Sequence, residues 1–255
     1  MIVSFSWSSP KTIAAWLTAC LLLAALPATA QVLKFPEPEE RSAEWELAFG
    51  GKIYDDWLAA TYAGPRASLH PLMPAGVEIA PSVSWRCVTC HGYDYLGATL
   101  SRKGGPPVNM PGITGMGGIE PEAIAAYLRR PPHSYGPSLI ANGALGLLAR
   151  FVSKGQHELI DFLKFKNEQA VGKPIFQGVC ISCHEADGRA FIEGEPGDKS
   201  SLGWLSRNRP AQVLHKIVNG QPGSDMVSLR FLGHYKTGAL FAYLRTLPDP
   251  EPDPE

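Results

Sequence analysis

The chain has 255 residues, with 23 Lys and Arg against 24 Asp and Glu, for a net charge of -1. No basic patch of the size nucleic acid requires is evident, so that class of partner is excluded. Partners must therefore be recognised by a local surface rather than by a global field.

Taken in order, residues 1–30 predict an export signal that is not part of the fold. Lys11 is their only charge, 13–26 is an apolar run, and Ala28-Thr29-Ala30 is a small-residue cleavage site. That run of 14 residues is short of the roughly 20 needed to span a bilayer. Leu17-Thr18-Ala19-Cys20 resembles a lipoprotein box, but Cys20 lies mid-run, which favours simple export. Removing 1–30 leaves four cysteines and a charge of -2, from 22 basic and 24 acidic residues.

Residues 31–40 read as a Pro- and Glu-rich tether, and 41–62 as a helix carrying Trp45, Leu47, Ala48, Ile53, Trp57 and Leu58, with a weak point at Gly50-Gly51. A Pro-rich stretch then runs to Trp85-Arg86 and Cys87-Val88-Thr89-Cys90-His91. The Gly/Pro-dense segment 97–118 predicts an irregular loop. Helices follow at 120–130, opened by Pro121, and at 142–154, stopped by Gly155. Residues 167–183 carry a helix into Cys180-Ile181-Ser182-Cys183-His184. Residues 188–208 read as loop, 210–218 and 233–247 as helices, and the acidic tail 248–255 as disordered. No alternating strand pattern of useful length appears, so the expected fold is all-α.

C-x-x-C-H is the attachment signature of c-type haem. Two thiols one helical turn apart reach the two vinyl groups of one porphyrin, and the following His lies under the iron as proximal ligand. The chain thus predicts two covalently bound haems, on Cys87, Cys90 and His91 and on Cys180, Cys183 and His184. A thioredoxin-like redox pair expects a single motif in a βαβ setting, which is absent. A four-Cys zinc knuckle brings its pairs within about 15–20 residues; here 89 residues (91 to 179) separate them. Neither accounts for a His after both pairs.

The motifs repeat at an offset of 93 positions (87 to 180, 91 to 184), and Leu240-Phe241-Ala242 falls on Leu147-Leu148-Ala149. Each half then comprises a motif helix, a loop, a short helix, a loop and a closing helix. Each half resembles a class I cytochrome c domain, which gives an expected organisation of signal (1–30), first domain (31–166), second domain (167–247) and tail (248–255). The resemblance implies that the second iron's distal ligand is Met226, in the loop between the short and closing helices. The same offset puts His133 in that slot of the first half and predicts bis-histidine ligation there. Met110, Met116 and His70 are its rivals. Of the remaining histidines, His215 lies on a helix, in a position to pack or hydrogen-bond near a haem, and His157 and His234 read as exposed. Trp85, Tyr93, Tyr95 and Trp204 are candidate pocket aromatics.

Met ligation favours Fe(II) relative to imidazole, so electrons are expected to run from the first haem to the second. Two six-coordinate irons leave no open position for substrate, which implies an electron carrier, or the cytochrome subunit of an oxidoreductase. It would work between a dehydrogenase or quinol-oxidising complex and a terminal acceptor, in the periplasm, meeting membrane only through a partner. The alternative is a dihaem redox enzyme with an open or labile first haem. The plan is similar to that of periplasmic dihaem thiosulfate dehydrogenases, whose catalytic haem carries a distal Cys, but no cysteine remains here for that role. A peroxidase-like enzyme would need one five-coordinate iron. Gly50-Gly51-Lys52-Ile53-Tyr54-Asp55-Asp56-Trp57, the HPLMP run from His70, and the stretch around the first motif also resemble first domains of exported dihaem cytochromes.

Overall fold

The computed structural model describes residues 38–190 and 201–249. The export signal, part of the tether (31–37), the middle of the 188–208 loop (191–200) and the end of the tail (250–255) lie outside the described residues. Among the described residues the chain is mostly helical, in agreement with the expected α class. The segment 97–118 is less irregular than its composition suggests. It holds a two-residue antiparallel ladder, β1 (Thr99–Leu100) with β2 (Val108–Asn109), in the register Thr99 to Asn109.

The first long helix, α1 (Ala43–Ala60), is capped by Ser42, whose hydroxyl accepts from the Trp45 N–H. Its break is not at Gly50-Gly51 but at Asp56, which has φ -151° and ψ 92°. The Arg86 guanidinium takes the Asp55 carbonyl oxygen (2.8 Å), diverting it from the helical ladder, and the Asp56 carboxylate accepts from the Ala59 N–H (3.1 Å), capping a new turn. The glycine pair is instead a close-packing site. A Cβ on Gly50 would collide with the Leu147 carbonyl, and one on Gly51 with the Asn219 side chain. Helix α1 therefore lies between two partners at once.

Those partners follow in order. After α2 (Pro81–Ser84) and the motif helix α3 (Cys87–His91) come α4 (Pro121–Leu128) and α5 (Asn142–Lys154). Then come α6 (Leu159–Leu163), α7 (Gln169–Ile175) and α8 (Ile181–His184), with α7 and α8 joined by a π-helical turn over Phe176–Cys180. Pro174 removes a backbone donor from this helix, and the Ile181 N–H reaches back to the Phe176 carbonyl. Helix α9 (Leu202–Asn208) lies where loop was expected, capped by Ser201. Helices α10 (Pro210–Asn219) and α11 (Gly233–Leu244) complete the chain. The start of the acidic tail is held: Pro248 accepts from the Ser201 hydroxyl (2.8 Å), and Asp249 is bonded by Arg189 and Arg207.

Among the described residues, buried apolar side chains gather in two clusters. One includes Ile53, Tyr54, Trp57, Tyr95, Leu148 and Phe151, and the other Phe176, Leu214, Leu240 and Phe241. Each is built on the same crossing. In the first, Gly50 of α1 meets the Leu147 carbonyl of α5, and four residues on Tyr54 meets Phe151, with ring centroids 5.4 Å apart. In the second, Gly172 of α7 meets the Ala239 carbonyl of α11, and Phe176 meets Tyr243 at 5.5 Å. Backbones approach this closely only where one residue lacks a Cβ.

Candidate haem sites

Helix α3 presents Cys87 and Cys90 half-buried, with Gly92 (φ 74°) ending the turn after His91. Its ends are tied down. The Tyr54 hydroxyl donates to the Gly92 carbonyl (2.7 Å), and the Gly97 N–H donates to the His91 carbonyl (3.0 Å). Burial pushes the Cys87 thiol up to about 12, and the Cys90 thiol is raised by the same cause. Both are therefore neutral at pH 7, unlike the lowered thiolate of a redox-active pair.

The β1–β2 loop explains how His91 is oriented. The Met110 N–H pairs with the Ala98 carbonyl (2.7 Å), and Gly97 (φ 98°) lets the loop close against it. This delivers the Pro111 carbonyl to 2.8 Å from His91 Nδ1. A carbonyl only accepts, so Nδ1 carries the hydrogen and Nε2 keeps its lone pair, the tautomer of a metal ligand with an oriented ring. Burial also lowers the His91 pKa against the opposing pull of that carbonyl.

His133 lies across from it. The two imidazole centroids are 6.0 Å apart, with ring planes at 41°. Burial, with His91 and His70 adding to it, takes the His133 pKa down to about 4, so it too is a neutral base. Its Nδ1 is buried without a partner. A metal–imidazole bond is about 2 Å, so two imidazoles on opposite sides of one metal have centroids roughly 6 Å apart. The spacing of the pair is compatible with a metal held between two histidines. Of the other candidates, Met116 packs on the first core cluster, as does Cys87, and Met110 immediately precedes the residue whose carbonyl holds His91. The Leu72 N–H donates to His70 Nδ1 (3.2 Å), which puts that residue's hydrogen on Nε2 rather than a lone pair.

In the second half, Cys180 ends the π-helical turn half-buried, Cys183 is exposed and His184 closes α8. Burial, with Cys183 adding to it, raises the Cys180 thiol to about 11. Met226 lies in the loop between α10 and α11 and lines a groove with Trp45, Phe49 and Lys52 of α1. The Lys52 ammonium donates to the Met226 carbonyl at 3.1 Å.

Sequence reasoning missed the buried charge cluster joining the halves. Asp55 is fully buried and accepts from Lys216 of α10, from Arg86 and from the Tyr93 hydroxyl (2.7 Å). Burial alone would raise its pKa, but Lys216 and Arg86 hold it below the ordinary carboxylate range. Beside it, His215 Nε2 donates to the Gly51 carbonyl (3.0 Å), and the Tyr95 hydroxyl donates to His215 Nδ1 (3.2 Å). His215 thus packs against the first half's core. His157 is not exposed as expected: it packs edge-on to Tyr95, and burial takes its pKa to about 3. His234 is exposed. The available signal was Arg86, a charge placed directly before an attachment cysteine, facing the paired Asp55-Asp56 of α1.

Set against models of known protein families and against curated proteins, the chain matches none. Among the described residues, no helix is long and apolar enough to cross a membrane.

Proposed function

We propose that the chain is an exported dihaem c-type cytochrome of two class I domains that passes electrons between redox partners. The observation that carries this reading is the His91–His133 pair: one imidazole, on the helix that bears Cys87 and Cys90, is fixed by Pro111 as a lone-pair donor, and the other has its ring centroid 6.0 Å away. The twin glycine–aromatic crossings support two domains of one plan. When bound, each haem would supply a one-electron iron couple. Cys87 and Cys90 would anchor the first, with His91 and His133 as ligands. Cys180 and Cys183 would anchor the second, with His184 and Met226. The chain's own work is then to hold four ligands, exclude water from the irons, and set the second potential above the first through the thioether of Met226.

Haem content and ligand spectroscopy test this. The holoprotein should contain two covalent haems, and near-infrared magnetic circular dichroism of the oxidised form should show one bis-His and one His/Met signal. His133→Ala should remove only the bis-His signal. A single haem, or rapid turnover of a small substrate, would sink the carrier reading. A high-spin signal in the wild type would instead bring forward an enzyme with an open first iron.

A further inference from the structure

The loop bearing Met226 is fastened from outside its own half. Lys52 is 7% exposed on α1, and its ammonium holds the Met226 carbonyl at 3.1 Å. Gly220, at φ 83°, makes the approach possible, since a Cβ there would lie 2.9 Å from the Lys52 Nζ and crowd the Met226 carbonyl. A second tie follows at Arg230, which donates to the Gly155 carbonyl after α5 (3.1 Å) and to the Asn219 side chain (2.7 Å). The loop's own bonds lie to either side: the Met226 N–H reaches Ser224 Oγ (3.3 Å), and Ser228 Oγ donates to the Val218 carbonyl (2.6 Å).

We infer that Lys52 is a positioning residue for Met226 as a distal iron ligand, so that the first half completes the second haem site. The inference rests on the dihaem reading above. A thioether is a weak, neutral ligand, and here it sits on a segment containing Gly220, Pro222 and Gly223. Keeping such a segment in one conformation costs chain entropy. A charge-assisted hydrogen bond from a buried ammonium to the ligand residue's own carbonyl offsets that cost where it matters, at the backbone that carries the sulfur. The gain appears as affinity of the thioether for iron rather than as overall stability alone.

The test uses full-length oxidised holoprotein and exogenous imidazole as a competitor for the second iron. In Lys52→Met the bis-His signal of the first haem should be unchanged. Imidazole should displace the Met ligand at a concentration about tenfold lower than in the wild type, the size expected from losing one hydrogen bond to a charged group. Lys52→Gln, too short to reach the carbonyl, should behave alike, and it carries the comparison if Lys52→Met yields no dihaem protein. Displacement at the wild-type concentration in either variant would overturn the positioning role. A wild type with no His/Met signal would overturn the Met226 assignment itself, and this inference with it.

Discussion

His215 shows how a single side chain acquires a role from its neighbours. Fully buried against Gly51, Tyr54, Tyr93, Tyr95 and His157, with Asp55, Lys216 and Arg230 nearby, it has its pKa driven by burial to about 4, against about 6.5 for an unfolded histidine. A base whose folded pKa is lowered favours unfolding once the free chain takes up the proton. Its contribution is therefore whole above pH ~6.5 and lost progressively as pH falls towards 4, up to about 3 kcal/mol. Urea denaturation near pH 7.5 and near pH 4.5 should show this decline, and His215→Gln should make it shallower, leaving the part that buried His157 contributes. An unchanged slope in the variant would assign the acid sensitivity to other groups.

At the scale of elements, glycines on crossing helices have opposite meanings that only packing distinguishes. A Cβ on Gly50 would run into the Leu147 carbonyl and lie 2.7 Å from the Phe151 Cβ, whereas a Cβ on Gly146 of α5 would meet nothing within 4 Å. Gly50→Ala should thus force the α1–α5 crossing apart and destabilise the holoprotein by about 1–3 kcal/mol. Gly146→Ala should stabilise it by about 0.5–1 kcal/mol through backbone entropy and helix propensity. Urea midpoints measured on both variants check the pair; equal effects would mean the crossing tolerates a methyl group. The motif segments make the same point. In the second half the crossing helix runs straight into the attachment turn through a π-helical step, with Gly172 eight residues before Cys180. In the first half Gly50 stands 37 residues before Cys87, and the Pro-rich segment fills the gap.

For the whole molecule, the Asp55 cluster is a polar tie between the two halves that carry the clusters of apolar packing. Lys216 comes from the second half, Arg86 and Tyr93 from either side of the first attachment helix, and Asp55 from α1. Removing one partner from such a buried arrangement leaves uncompensated charge and costs about 3–5 kcal/mol. On the dihaem reading proposed above, wild-type unfolding followed at each haem's own spectral signal should coincide. Asp55→Asn, which leaves Lys216 and Arg86 facing each other, should lower stability by that amount and separate the two transitions. Coincident transitions in the variant would show that apolar contact alone couples the halves.

The chain's order of residues was enough for the α class, the bounds of α5 and α10 to within a residue, and the motif turns that bring each Cys pair and its His together. Those features rest on local rules: apolar periodicity, Pro at helix starts, Gly at helix ends, and fixed i to i+3 spacing. The 93-residue offset is also what led to the proposal for His133, because a repeat carries equivalent positions along with it. What needed the folded chain was every relation between distant segments. The Pro111 carbonyl reaches His91 only through a ladder too short to leave a pattern, and α9 depends on a Ser201 cap within a stretch whose composition reads as loop. Asp55 and Lys52 looked like ordinary helix residues because burial and partners, not identity, define their chemistry. A charge on a helix is solvated by default, and only tertiary packing turns it into a buried tie between two halves.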